Sequence, residues 1–594
     1  MALPKLPIPS LELTLQNFKF ATVAFLTDEE FETVSEACKE LEGASGSAIQ
    51  RCLLDRQEKQ DNWAYDWWLE DMYLKNSLPL PIHSNPGMIF PRETFKTTEE
   101  FIRYVSCFVE EAYKFKIKID RNLIPQDRAS SRERNQPLCM LQYKRIFSSY
   151  RESGYSKDNL LEYEPNNNSH FIVAAKGQFF VVQYMTEKST LSFEDLYIEL
   201  AQIYKSSQQQ QEKVGLLTAA ERRHSATLFE NLMKDKQNND NVCTIRSAAF
   251  IICLDDNPGT DSESGRMAQM IHGGGVSKNS TNRWFNKTMQ FIFSESGSCG
   301  LCYEHSPAEG IVVVQMVEDI LKNCAERESG KIHLVENRTA KIPKKLIWKL
   351  EKCLQQEIDN IGTELDREME NLDVLIHTYD GYGKELVKKN SISPDVFIQV
   401  VLQLTYYRIY GCLGATYESA STRRFRKGRV DCIRAATPEA LEWVKAMTSE
   451  GALNEERLSK FKRAVNAQTE IMTDNILGRG IDIHLMGIKE AAKELGIKLS
   501  LFDSPAFKKA NHFCLSTSQI TTRLDTVMGY GPVVPEGHGV SYNIQRESFK
   551  FCISSFKSFE SARSKTFAES LDESLNRVQQ LLLSQNFTNR NSLV

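Results

Sequence analysis

An α/β fold is the class this sequence predicts. Two alternating apolar hairpins, several stretches whose apolar residues recur at helical spacing, and a β-rich stretch over 513–558 point to it. The 594-residue length suits two large domains or more, with ample material for buried cores.

Taken in chain order, residues 100–118 and 193–206 have helical periodicity. Residues 169–185 read as a hairpin, with Phe171-Ile-Val-Ala-Ala and Phe179-Phe-Val-Val joined at Lys176-Gly177. A second hairpin is expected over 288–305: Met289 to Phe293 alternates, a Ser/Glu/Gly turn follows, and the chain returns through Leu301 to His305. A helical pattern then runs from Ile311 to Cys324. The clearest helix spans 393–411. Ser393 is its expected cap, Pro394 takes the first turn and Asp395 suits the positive end. Phe397, Val400, Val401, Leu404 and Tyr407 recur on one face, and Gly411 stops it. Phe567, Leu571, Leu575, Val578 and Leu582 mark a last amphipathic helix. Residues 125–136 and 205–214 read as polar connectors, 254–265 as an exposed acidic loop, and no repeat is evident.

Composition is that of an ordinary globular chain, 41% hydrophobic and 25% charged, with a formal charge of −5. Nothing in that balance suggests nucleic acid or an anionic membrane as a partner. The longest apolar runs, such as Ile311 to Val314, are far too short to span a bilayer. The opening Met-Ala-Leu-Pro-Lys-Leu-Pro lacks an apolar core, and the closing Asn-Ser-Leu-Val is no peroxisomal address, so a cytoplasmic protein is expected. The 14 scattered cysteines read as reduced thiols. Cys299 and Cys302 have redox spacing, but they fall in a β stretch, where positions three apart face opposite sides. Packing is the better reading for them, and no second pair exists to hold zinc. The Asn-x-Ser/Thr site at Asn286 then has no glycosylation meaning.

One residue suggests chemistry. His305 stands where a β pattern stops and a helix pattern begins, a place where rigid scaffolds display reactive groups. A neutral imidazole can take a proton from a hydroxyl near pH 7, and Glu309, four residues on, could orient it. On spacing alone, a lone histidine before a helix is more often structural or merely exposed.

The letters around it carry more. Tyr303-Glu-His-Ser-Pro-Ala-Glu-Gly310 resembles the catalytic segment of the choline/carnitine O-acyltransferase family. Leu3-Pro-Lys-Leu-Pro-Ile-Pro resembles the family's start. Asn62-Trp63 with Trp67-Trp68 and Tyr73-Leu74, His272-Gly-Gly-Gly275, Asn282-Arg-Trp284, Ser393-Pro-Asp395, Tyr417-Glu-Ser-Ala-Ser421, Ser516-Thr-Ser-Gln519 and Gly531-Pro-Val-Val-Pro535 follow in family order. The resemblance runs from about residue 3 to about residue 583. It implies two α/β domains, each similar to chloramphenicol acetyltransferase, with an active-site tunnel at their interface. Residues 77–347 would form the domain carrying the histidine. Residues 1–76 and 348–594 would form the other, carrying the CoA and acceptor sites.

The resemblance also implies roles. His305 would be the general base and Ser518 the oxyanion donor, in direct transfer from a CoA thioester with no covalent acyl-enzyme. Lys384, Lys388, Asp395 and Arg423 would bind CoA. Tyr73, Tyr417, Val430, Asp431, Cys432, Ile483, Ser516 and Tyr530 match positions near the acceptor alcohol. Met528 stands where short-chain members block the acyl channel with a bulky residue, so acetyl is the expected acyl group. Acetyl-CoA is thus a co-substrate, no permanently bound cofactor or metal is expected, and a monomer is the family's usual state.

The acceptor follows from charge. A buried carboxylate without a cation costs several kcal/mol, so a carnitine-using site must supply one. The family's carnitine branch places an arginine at the position read here as Ile483, and a Thr-acid-Thr triplet where this chain has Val430-Asp431-Cys432. This pocket suits choline or a related small cationic alcohol. Cys432 and Ile483 depart from the asparagines of the choline branch as well. Glu309 and Met528 look more like the carnitine branch. Short-chain carnitine acetyl transfer and a catalytically weak CoA-binding member stand as the alternatives.

Overall fold

The computed structural model describes residues 3–591 apart from 131–133, 166–168, 186–188, 208, 210–211 and 329–342. Parts of the expected connectors at 125–136 and 205–214 lie outside the described residues.

Two large mixed sheets organise the chain. The first has eight strands, in the order Val527–Gly529, Gly87–Ile89, Cys299–Tyr303, Met289–Ser294, Ile251–Asp255, His170–Ala175, Gln178–Gln183 and Lys344–Lys345. Both expected hairpins are in it. Turn chemistry sets the first: Lys176 and Gly177 both take positive φ, the geometry that matches strand twist. The helices Thr98–Asp120, Phe193–Ser206 and Gly310–Glu328 share a core with one face of this sheet. Cys299 belongs to that core and Cys302 to the core on the other face, so the pair is split across the sheet as its spacing requires.

The second sheet has six strands, in the order Leu372–Tyr379, Phe549–Phe556, His538–Ile544, Leu515–Gln519, Thr416–Ser421 and Val430–Arg434. Its core is filled by helices Pro394–Tyr410, Pro438–Thr448, Asn454–Ile476 and the C-terminal Ser564–Asn591. Pro394–Tyr410 differs from its expected one-sided form. Every residue from Val396 to Tyr406 is buried, because the sheet and flanking helices enclose it, and the Ser393 side chain makes no capping bond. Gly411 stops it in the left-handed conformation, as expected. The loop expected at 254–265 is shorter, since Ser262 caps a helix over Glu263–His272.

Two features join the parts. Strand Val527–Gly529, far along the chain, pairs with Gly87–Ile89 and completes the eight-stranded sheet. The N-terminal helices Leu11–Thr22, Asp28–Lys39 and Ala44–Lys59 pack with Asp482–Glu494 in a separate apolar cluster. Among the described residues no helix is long and apolar enough to cross a membrane.

One buried ion pair holds the end of the central strand Ile251–Asp255. Arg283 donates to both carboxylate oxygens of Asp255 at 2.9 and 2.8 Å, and neither side chain has any exposure. Asp255→Ala leaves that guanidinium uncompensated. It should cost about 3–5 kcal/mol, read as a lowered unfolding midpoint in urea.

Candidate active site

His305 follows strand Cys299–Tyr303 and precedes helix Gly310–Glu328, so the end of the eight-stranded sheet displays it. Its Nδ1 lies 2.8 Å from the Tyr73 hydroxyl, and the two rings stack with centroids 5.2 Å apart. Tyr73 is delivered by a π-helical turn, Glu70–Leu74, that continues helix Tyr65–Leu69. Nε2 has no hydrogen-bond partner among the described residues. For Nε2 to accept a proton, the ring hydrogen must sit on Nδ1, where the Tyr73 oxygen accepts it. Burial holds the imidazole below its ordinary pKa; the Glu309 carboxylate opposes that shift and the Arg429 guanidinium adds to it.

Glu309 does not orient the ring in the expected way. Its Oε2 is 3.9 Å from Nδ1, farther than the Tyr73 hydroxyl, while its Oε1 accepts from Arg429 Nε at 2.8 Å. Arg429 also donates from Nη2 to the His305 carbonyl at 3.2 Å and from Nη1 to the Ser306 carbonyl. The guanidinium lies over the rings of Trp68 and Tyr73, 4.8 and 5.7 Å from their centroids. Of the arginines over 423–429, only Arg423 was singled out from the sequence, and Arg429 was missed. The available signal was its place immediately before the buried strand Val430–Arg434. A tight turn returns the chain there: Thr422 N–H donates to the Arg429 carbonyl, and a Cβ on Gly428 would meet the Thr422 carbonyl oxygen at 1.9 Å.

Arg423 corrects an expectation. It is 2% exposed, its Nη2 donates to Asp127 at 2.6 Å, and its Nε donates to the Cys139 carbonyl at 3.0 Å. That buried pairing leaves it unavailable to a CoA phosphate in this conformation. Asp395 is likewise engaged, accepting from the Tyr542 hydroxyl at 2.6 Å. Burial raises both Asp395 and Glu418, which interact, Glu418 well above the usual carboxylate range. Lys384 and Lys388 fall one turn apart on helix Lys384–Lys389. Neither has an ion-pair partner among the described residues, and Lys388 is exposed.

Ser518 lies in strand Leu515–Gln519, half-buried, and its hydroxyl has no partner among the described residues. Thr517 faces the other way, donating to the Tyr417 carbonyl and accepting from Gln399. Ser516 is buried, and its carbonyl accepts from the Tyr530 hydroxyl at 3.1 Å. Met528 is 4% exposed. Its sulfur is 3.9 Å from the Tyr303 hydroxyl and would be 3.0 Å from a Cβ on Gly310, which places it beside the His305 loop.

A cavity of about 310 Å³ brings together Tyr417, Val430, Asp431, Cys432 and Ile483. Trp68, Phe502, Phe507 and Phe513 add aromatic walls, Asp71 and Asp482 add carboxylates, and Lys489 adds one ammonium. Asp482 is committed to Arg434 at 2.6 and 3.0 Å. Asp431 is buried and pushed up to about 7, first by desolvation and then by Asp482, against the pull of N–H donors from Cys432 and Ile483. Tyr73, Ser516 and Tyr530 do not line this cavity. Among the described residues no cluster of His, Cys, Asp or Glu could hold a metal ion.

An imidazole with one nitrogen occupied and the other without a partner among the described residues, a serine hydroxyl likewise without one near the end of an interior strand, and a cation-compatible cavity are groups an acyl-transfer enzyme can use. Residues 6–573 match the Choline/Carnitine o-acyltransferase family, and the chain belongs to it. It is 39% identical to Choline O-acetyltransferase of Danio rerio over 591 residues, covering 98% of this chain and 93% of that relative. Choline O-acetyltransferase of Mus musculus is 40% identical over 98% of this chain and 93% of its own. Carnitine O-acetyltransferase of Columba livia is 38% identical over 98% and 94%.

A lowered His305 has a kinetic signature. The protonated ring cannot accept a proton, so kcat/KM falls as pH drops through its pKa in the free enzyme. The acid limb of kcat/KM should have its midpoint below the ordinary 6.5. A midpoint above 7 in a pH–rate profile would contradict the assignment.

Proposed function

We propose that this chain moves an acetyl group from acetyl-CoA to the hydroxyl of choline. The observation that carries the acceptor is the cavity at Val430-Asp431-Cys432: aromatic faces and carboxylates surround it, and Ile483 stands where a carboxylate-bearing acceptor would need a cation. Asp431 titrates near neutrality and can supply negative charge to a trimethylammonium group.

The chemistry follows from the atoms. His305 Nε2 takes the proton of the acceptor hydroxyl as its oxygen attacks the thioester carbon. Charge develops on the carbonyl oxygen, and the Ser518 hydroxyl donates to it; one such donor is typically worth about 10²–10³ in turnover. The tetrahedral species collapses, the carbon–sulfur bond breaks, and the CoA thiolate takes the proton back from His305. Tyr73 and Glu309 hold the imidazolium while it exists, and Arg429 fixes the loop that carries it. Lys384 and Lys388 meet CoA phosphate, and Met528 beside the His305 loop limits acyl length. The domain division is 77–347 against 1–76 with 348–594, with Val527–Gly529 crossing between them. A reducing compartment such as the cytoplasm fits the 14 cysteines, all free, and the monomer rests on the family's usual state alone.

One observation favours a second reading. Lys489 lines the same cavity and could pair with the carboxylate of carnitine. Acetyl transfer to carnitine is therefore the alternative, opposed by the greater number of carboxylates around the cavity.

Ile483→Arg combined with Val430→Thr and Cys432→Thr should shift the choline-to-carnitine ratio of kcat/KM toward carnitine by at least about tenfold, roughly 1.4 kcal/mol of differential stabilisation. An unmoved ratio in a folded variant would remove the selectivity assignment.

A further inference from the structure

Two buried side chains beside the site have no role in the scheme above. Arg151, in strand Ser149–Glu152, and Glu304, the residue before His305, have no side-chain exposure and pair at 3.1 Å. Arg151 donates from Nε to Asp158 at 2.7 Å, from Nη1 to the Ser84 hydroxyl at 3.3 Å, and from Nη2 to the Tyr73 carbonyl at 2.6 Å. Asp158 accepts a second arginine, Arg222, at 2.7 Å. Glu304 turns its oxygens to the residue after His305: Oε1 accepts from Ser306 N–H at 3.2 Å and Oε2 from the Ser306 hydroxyl at 2.6 Å. Its own N–H donates to the Thr288 carbonyl at 3.0 Å.

One guanidinium therefore holds the backbone of Tyr73 and, through Glu304, both neighbours of His305. The two contacts converge on the couple in which the Tyr73 hydroxyl meets His305 Nδ1. Buried ions are costly to desolvate, and an apolar pair of similar volume can serve the fold equally well. A buried pair that touches the catalytic backbone at 73, 304 and 306 has a geometric use that an apolar pair lacks.

We infer that Arg151 and Glu304 are positioning residues for the reaction, fixing the His305–Tyr73 contact from behind. The inference rests on His305 being the base. Reorientation of a base by about 1 Å can cost about 10²-fold in rate. Glu304→Gln keeps the shape but cannot accept from both Arg151 and the Ser306 hydroxyl.

The experiment measures acetyl-CoA turnover for Glu304→Gln, Arg151→Lys, their double variant and His305→Ala. For Glu304→Gln, kcat should fall about 10–100-fold while the KM for acetyl-CoA stays within about twofold. The double variant should lose little more than the worse single, because both act through one contact. If Glu304→Gln does not fold, Ser306→Ala removes only the hydroxyl donor and should still lower kcat several-fold. A folded Glu304→Gln with full kcat and only a lower melting temperature, beside an inactive His305→Ala, overturns this inference alone. Retained turnover in His305→Ala overturns the base assignment and this inference with it.

Discussion

The contact on which this molecule depends is Arg429 against the His305 loop. Its guanidinium reaches two consecutive carbonyls, at His305 and Ser306, and the Glu309 carboxylate, and it lies over Trp68 and Tyr73. The next residue along the chain, Val430, lines the cavity. The His305 loop and the cavity wall are thus held in one register by a single side chain, whose neighbour in sequence lines the proposed acceptor cavity. Gln142 reinforces the junction, accepting from the Glu309 N–H at 2.8 Å and donating to the Gly428 carbonyl at 3.1 Å. An arginine suits the post because it presents five donors in a rigid plane, which a lysine cannot.

The charges around His305 are arranged to keep it neutral and fixed. Burial and Arg429 disfavour the imidazolium, and Glu309 opposes them from 3.9 Å. The balance leaves an imidazole that is unprotonated near pH 7, as the proposed base must be. The cavity works with the opposite sign. Ile483 and Val430 offer no charge, Asp482 is neutralised by Arg434, and Asp431 remains the one buried carboxylate there with only N–H partners among the described residues.

Much of this was legible in the sequence because it is local. Alternation and a Lys-Gly turn show the 170–183 hairpin, and a strand-end position plus the letters around His305 show the loop. The residues proposed for the acceptor were legible only through the resemblance to a family; the fold brings 417, 430–432 and 483 to one cavity and leaves 73, 516 and 530 outside its lining. What was hidden is pairing between residues distant in the chain. Tyr73 meets His305 across 232 positions, and Arg423 finds Asp127 across 296. A basic run such as 423–429 has no internal mark telling which arginine faces solvent, which a carboxylate and which the His305 loop. Helix Pro394–Tyr410 shows the same limit, since periodicity cannot tell a helix with one apolar face from one enclosed on all sides.

Acceptor choice by charge is the central claim, and parallel thiol-release assays with acetyl-CoA against choline and against carnitine test it most directly. The account predicts that kcat/KM for choline exceeds that for carnitine by at least about tenfold, the least that one missing cation partner should produce. Equal or greater kcat/KM for carnitine would contradict it and would point to Lys489 as the carboxylate partner.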